Sequence, residues 1–318
     1  MKSECFKSIA LAAGVLALAA PAPGLAQDLE GTIGMSGAWA LYPMAVKWGE
    51  EFQKLHPKVR FDISAGGAGK GVTDTLAGAV DIGLVSRDLN AAETEKGALG
   101  FAVVKDAVVA IVNARNPVLQ KLQSQGLTKD VFQRLWLRPD ASTWGEATGG
   151  TEKAPVRVYT RSDACGAAET WAKYLGKKQE DLKGVGVYGD PGIGEAVRKD
   201  VMGLGYNNVN FAYDPKTGKP VAGLAPAPID VNADGKLDAA ENFYASRDQL
   251  LAAIADGRYP SPPARDLYLV TKGKPGKDVV KAFLAWALTE GQKYVSDTGY
   301  IVLPPERLKQ ELAKLATK

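Results

Sequence analysis

The sequence predicts an α/β protein of two lobes, and three observations carry that prediction. Short β-branched and aliphatic runs alternate with stretches of helical apolar spacing, which favours open sheets covered by helices over a sandwich or a bundle. The 318 residues, 46% of them hydrophobic and 24% charged, suffice for two domains without disulfide staples. The apolar runs Ala107–Val112 and Leu267–Val270 fall where a chain would leave one lobe near Asn113 and return near Arg265. Lobe 1 is therefore expected at 27–112 plus 265–318, and lobe 2 at 113–264.

Residues 1–26 read as a secretory signal peptide. Lys2 and Lys7 precede the apolar run Ser8–Ala20, and Gly24-Leu25-Ala26 offers small residues where a signal peptidase cleaves. The run is too short for a membrane span, and no later stretch approaches about 18–20 uninterrupted apolar residues. Cys5 precedes the hydrophobic run and is no acylation site, so the expected product begins at Gln27, is periplasmic, and keeps Cys165 as its one cysteine.

Thr32–Met35 reads as a strand, and Pro43 sits where the first turn of a helix tolerates it. Met44, Trp48, Phe52 and Leu55 follow at spacings of 4, 4 and 3, one apolar stripe on that helix. Val59, Phe61 and Ile63 alternate as a strand, the glycines from Gly66 to Gly71 open a helix carrying Val72 and Leu76, and Val80–Val85 returns as a buried strand. Asn116-Pro117 marks an exit from the first lobe. Further on, Val156–Tyr159 is a strand, Ala167–Leu175 a helix, and Ile193, Val197 and Val201 mark another helix. Val280, Phe283, Leu284 and Ala287 show the i, i+3, i+4, i+7 spacing of a terminal helix able to pack back on the first lobe.

Composition removes several chemistries. With 39 Lys+Arg against 36 Asp+Glu, the net charge of +3 is too mild for a nucleic-acid binder. A Cys/His zinc site or a Ser-His-Asp triad would have to be built around His56, the one histidine. His56 precedes Pro57 at a helix end and reads as a surface residue, so an enzyme is not expected. Trp136, Trp144, Trp171 and Trp286 suit cores.

Two loops have the character of an anion site. In Gly66-Gly67-Ala68-Gly69-Lys70-Gly71 and in Arg161-Ser162-Asp163-Ala164-Cys165-Gly166-Ala167, small residues follow a strand and open a helix. Free backbone N–H groups and the positive helix end then converge on one negative group. Arg161 adds a planar donor fork suited to tetrahedral oxyanions, which Asp163 can hold in place. Ser86-Arg87, at the end of the third strand, is a third candidate.

In order along the chain, Gly34-Met35-Ser36-Gly37-Ala38 with Pro43, GGAGKG at 66–71, Val80-Asp81-Ile82-Gly83 through Ser86-Arg87, and RSDACG at 161–166 resemble the periplasmic phosphate-binding proteins of ABC transporters. Gly126-Leu127-Thr128, Trp144, Gly189-Asp190-Pro191-Gly192, Gly257-Arg258-Tyr259-Pro260, Gly291-Gln292 and Gly299 to Pro304 continue the likeness. The resemblance implies a type II-like binding protein, each lobe a mixed sheet flanked by helices, with two hinge crossings. It implies closure on an oxyanion, phosphate first, and delivery to an inner-membrane permease; a monomer is expected. Arg161 would then be the main charged donor, Ser86 and the amides around Ala68, Gly69, Cys165, Gly166 and Ala167 the shell, and Ala38 and Trp39 the first loop. The family pattern carries hydroxyls where Trp39, Ala68, Cys165 and Ala167 stand, each worth about 1.5–3 kcal/mol toward a charged oxygen. Those losses keep an alternative open: a signalling or adhesion module on the same scaffold, with a changed ligand. Cys165 itself reads either as a small stand-in for serine or as a thiolate activated by Arg161 and the helix end.

A further motif lies in the second lobe. Asp230, Asn232 and Asp234 occupy positions 1, 3 and 5 of a twelve-residue EF-hand loop, Gly235 position 6, Lys236 position 7 through its carbonyl, Asp238 position 9 and Glu241 position 12. Pro226 and Pro228 preclude a regular entering helix. A structural calcium ion in a loop without full helix–loop–helix flanks is the expectation.

Overall fold

The computed structural model describes residues 29–138 and 142–316. The expected signal peptide and Cys5 lie outside them. β1 (Gly31–Gly37), α1 (Tyr42–Leu55), β2 (Val59–Ala65), α2 (Ala68–Ala77), β3 (Ile82–Val85) and α3 (Ala91–Glu95) lead into the long strand β4 (Ala98–Asn113). The second lobe runs through α4 (Leu119–Gln125), β5 (Leu127–Thr128), α5 (Lys129–Leu137), α6 (Trp144–Thr148), β6 (Arg157–Arg161), α7 (Gly166–Tyr174), β7 (Val185–Val187) and α8 (Gly189–Lys199). It continues with β8 (Gly203–Asn208), α9 (Val209–Ala212), β9 (Leu224–Pro226), β10 (Ile229–Asp230) and α10 (Arg247–Ala255). β11 (Ala264–Lys272), α11 (Asp278–Ala287) and α12 (Pro305–Ala316) return to the first lobe. No described helix is long and apolar enough to cross a membrane.

The strands form one mixed sheet in the order β2-β1-β3-β11-β4-β8-β6-β7, with β9 also on β4. β4 is the spine. Ala98–Ala107 pairs antiparallel with β11, whereas Val108–Val112 pairs antiparallel with β8. The hydrophobic core divides at the same place: one cluster spans Ile33–Val104 and Leu267–Tyr300, the other Ala107–Ala264. The first crossing therefore lies inside β4, at Ala107-Val108, and Ala107–Val112 belongs to the second lobe instead of closing the first. The Asn113 boundary fails because a crossing made by a continuous strand carries no turn residue, and the Asn116-Pro117 signal marks only the strand's end.

Local chemistry explains most elements. Met44, Trp48 and Phe52 of α1 are buried, each contributing about 2 kcal/mol by leaving water. Leu55, the fourth residue of that stripe, is exposed at the helix end. Phe52 and Phe283 meet edge to face at 5.3 Å in the first core, and Trp136 and Trp171 at 5.2 Å in the second. α12 docks on β4 through Glu311, which accepts the Ala102 N–H at 3.1 Å. Val201 falls beyond the end of α8.

Candidate functional site

The glycine-rich loop 66–71 and the loop 161–167 come from opposite lobes and touch. Gly67 has φ +89°, and a Cβ there would lie 2.7 Å from the Ala164 carbonyl oxygen and 2.9 Å from Asp163 Oδ2, so the approach requires glycine. Gly69 N–H donates to the Ala164 carbonyl at 3.3 Å. A Cβ on Gly166 would fall on the hydroxyl and carbonyl of Ser86. Ala68, Gly69, Ser86, Arg161, Cys165, Gly166 and Ala167 are thus gathered at one contact between the lobes.

Not every expected donor is available. Ala38 N–H is spent on the Leu84 carbonyl at 2.7 Å, and Cys165 N–H on Gln179 Oε1 at 3.2 Å. The amides of Ala68, Gly166 and Ala167 sit in the first turns of α2 and α7, where no intrahelical acceptor exists. Trp39 packs its indole against Gly189 and edge to face on Phe211 at 6.3 Å, with a buried Nε1 that has no hydrogen-bond partner. It forms an apolar wall at the start of α8 and spans the two lobes.

Arg161 is the electrostatic centre, its side chain 1% exposed. Asp163 grips it twice, from Nε at 2.7 Å and Nη2 at 2.6 Å, while Nη1 donates to Asp190 Oδ2 at 2.6 Å. Burial opposes the charge, but Asp190 and Asp163 outweigh it and raise the guanidinium pKa above its ordinary value. Asp163 also accepts the Gly189 N–H at 3.2 Å, bringing a third helix end to the contact.

Asp190 was not singled out from the sequence, and a buried network extends beyond it. Its Oδ1 accepts from the Asn208 side chain, and its carbonyl accepts from Asn207 Nδ2 at 2.9 Å. Arg265 donates to the Gly166 carbonyl at 2.5 Å, to Thr170 Oγ1 at 2.9 Å and to Asn208 Oδ1. Asp106 faces Arg265 at 3.7 Å across the β4–β11 register. Asp190 stands in the quoted Gly189–Gly192 motif, the one available hint; Arg265 and Asp106 meet only through strand pairing.

Burial, only partly offset by Arg265, raises the Asp106 pKa to about 7. The folded state then holds a proton that the unfolded chain has released above about pH 4, so stability falls as pH rises from about 4 to 7 and stays at the lower level beyond. The effect is on the order of 4 kcal/mol. Asp106→Asn should remove that step, which urea unfolding of both proteins at pH 5 and pH 8 measures.

The same physics decides between the two readings of Cys165. The residue is 5% exposed, and burial pushes its thiol up to about 12 against the opposing charge of Arg161. Sγ accepts the Ala168 N–H at 3.4 Å as the N-cap of α7, the place a serine would hold. Cys165 is therefore a neutral cap. Iodoacetamide at pH 8 should leave folded residues 27–318 unmodified and label them once in urea, as mass spectrometry reads.

On the other side of the contact, Arg87 pairs across the lobes with Glu169 at 2.8 Å, and Asp88 with Lys173 at 3.5 Å. A cavity of about 520 Å³ opens there between Arg87, Lys105, Glu169 and Arg265. Asp230, Asn232, Asp234, Lys236, Asp238 and Glu241 lie in one loop of the second lobe, entered from β10 and followed by a helix only at Arg247. Among the described residues no three His, Cys, Asp or Glu side chains already gather to hold a metal.

A family model described as the PBP superfamily domain matches residues 22–290. The chain belongs to that superfamily. The phosphate-binding protein PstS of Pseudomonas aeruginosa is 26% identical over 311 residues, covering 91% of this chain and 88% of its own. PstS of Xylella fastidiosa is 23% identical over 313 residues, covering 91% and 86%. A protein of Clostridium perfringens solved with bound phosphate superposes with a TM-score of 0.70 at 21% identity, over 86% of this chain and 100% of that one. An ABC-type phosphate transport receptor of Vibrio cholerae gives 0.61 at 18% identity, over 86% and 100%. These structures share the superfamily's α/β fold with this chain.

Proposed function

We propose that this chain is the substrate-binding component of an ABC transporter and that it captures inorganic phosphate between its lobes. The observation that carries this reading is the meeting of α2 and α7 first turns, from opposite lobes, beside the buried Arg161. Helix ends and a guanidinium supply the N–H donors and positive field that a tetrahedral oxyanion requires. Relatives named as phosphate-binding proteins along most of the chain support the ligand. They also weigh against the signalling or adhesion alternative, which rested on the missing hydroxyls. Backbone amides of Ala68, Gly166 and Ala167 take over what those hydroxyls supply elsewhere.

The role is capture without chemistry. A ligand touching both lobes favours the closed arrangement, and an inner-membrane permease would distinguish that arrangement from the open one. The chain acts as an exported monomer in the periplasm, cleaved after Ala26. Small-angle scattering of residues 27–318, freed of bound anions, tests the reading. Phosphate should reduce the radius of gyration while equimolar chloride does not; an unchanged radius at saturating phosphate would contradict it.

A further inference from the structure

We propose that the loop 230–241 binds one calcium ion, with Asp230 and Glu241 as its buried anchors. Asp230 is 3% exposed and Glu241 7%. Each carboxylate has one oxygen committed and one not. Asp230 Oδ2 accepts the Gly235 N–H at 2.9 Å, and Glu241 Oε1 accepts the N–H groups of Val231 at 2.8 Å and Asn232 at 3.1 Å. Asp230 Oδ1 and Glu241 Oε2 are buried with no hydrogen-bond partner. Glu241 is fastened to the two amides that follow Asp230, so both carboxylates are held at the closing ends of one loop. Two desolvated carboxylate oxygens without donors are costly in a folded protein, and a shared cation removes that cost.

The ion's identity follows from the donor set. All candidate ligands are oxygens, five side chains and the Lys236 carbonyl in one twelve-residue loop, which suits calcium's larger and more flexible shell. Asp234 and Asp238 point their oxygens at backbone N–H groups of Lys236, Ala240 and Glu241. Asp234 is exposed and turns inward when the ion enters. The loop is tied to the second lobe by β10 pairing with β5 and by Leu237 N–H donating to the Ser124 carbonyl at 3.0 Å. The ion therefore pins a long irregular segment to α4 and β5, a structural role separate from the cleft.

Thermal unfolding of the exported chain in EGTA, calcium or magnesium tests this, with calorimetric calcium titration for stoichiometry. Calcium at a hundredfold excess over its dissociation constant should raise the melting temperature by about 5–10 °C, with one ion per chain and a smaller shift for magnesium. Glu241→Gln should weaken calcium at least tenfold, yet melt no lower than the parent in EGTA because one buried charge is gone. Should that variant fail to fold, Asp234→Ala, altering an exposed side chain, is expected to show the same loss. No shift for the parent in millimolar calcium, or a shift that survives in the folded variants, would overturn the proposal.

Discussion

Arg161→Ala is expected to abolish phosphate binding and to lower stability by about 3–5 kcal/mol, the largest effect of any single substitution at the lobe contact. The cost arises because Asp163 and Asp190 both face the guanidinium, and removing it leaves the buried Asp190 and the half-buried Asp163 without their counter-charge. A protein of this size then melts roughly 6–20 °C lower. Binding suffers independently, since each charge-assisted hydrogen bond lost to an oxyanion weakens it by about 1.5–3 kcal/mol. Arg161→Lys separates the two effects. It keeps a positive charge between the aspartates but cannot serve two carboxylates and a ligand with one compact ammonium, so stability should recover more than affinity. Urea unfolding and phosphate titration of both variants measure this.

Gly166→Ala should do the reverse, weakening phosphate binding by about 10–100-fold with little change in stability. The new methyl enters neither core. It meets the hydroxyl and backbone carbonyl of Ser86 in the other lobe, and backbone cannot yield as a flexible side-chain end would. Overpacking of this kind costs about 1–3 kcal/mol, and each 1.4 kcal/mol is about tenfold in affinity. Because that cost falls on the closed arrangement alone, the open lobes keep their folding free energy. Alanine also suits the first turn of α7 at least as well as glycine. Calorimetric titration alongside thermal unfolding separates a closure defect from a folding defect; equal losses in both would contradict this account.

What could be read from the sequence was local. The Met44, Trp48, Phe52 stripe, the glycine run opening α2 and the RSDACG segment opening α7 state their structure within a few residues, and the structure places both glycine-poor and glycine-rich loops at one contact. The partners that hold Arg161 and Arg265 in place were not legible. Asp190 reaches Arg161 from 29 residues away, and Asn208 reaches Arg265 from 57, distances over which spacing carries no signal. β8 reads poorly as a strand because it is Gly203-Leu204-Gly205-Tyr206-Asn207-Asn208. Its place between β4 and β6 imposes the extended form on residues with weak β preference. The donor set shrank for a similar reason: Ala38 and Cys165 carry amides that tertiary neighbours had already claimed.

The most direct measurement is calorimetric titration of residues 27–318, stripped of bound anions, with phosphate and then with sulfate. The account predicts one phosphate per chain, bound at the Arg161 contact so that Arg161→Ala abolishes the heat, with sulfate binding at the same contact because its donors read only a tetrahedral anion. Absence of phosphate binding by a folded, anion-free protein, or binding that survives Arg161→Ala unchanged, would contradict it.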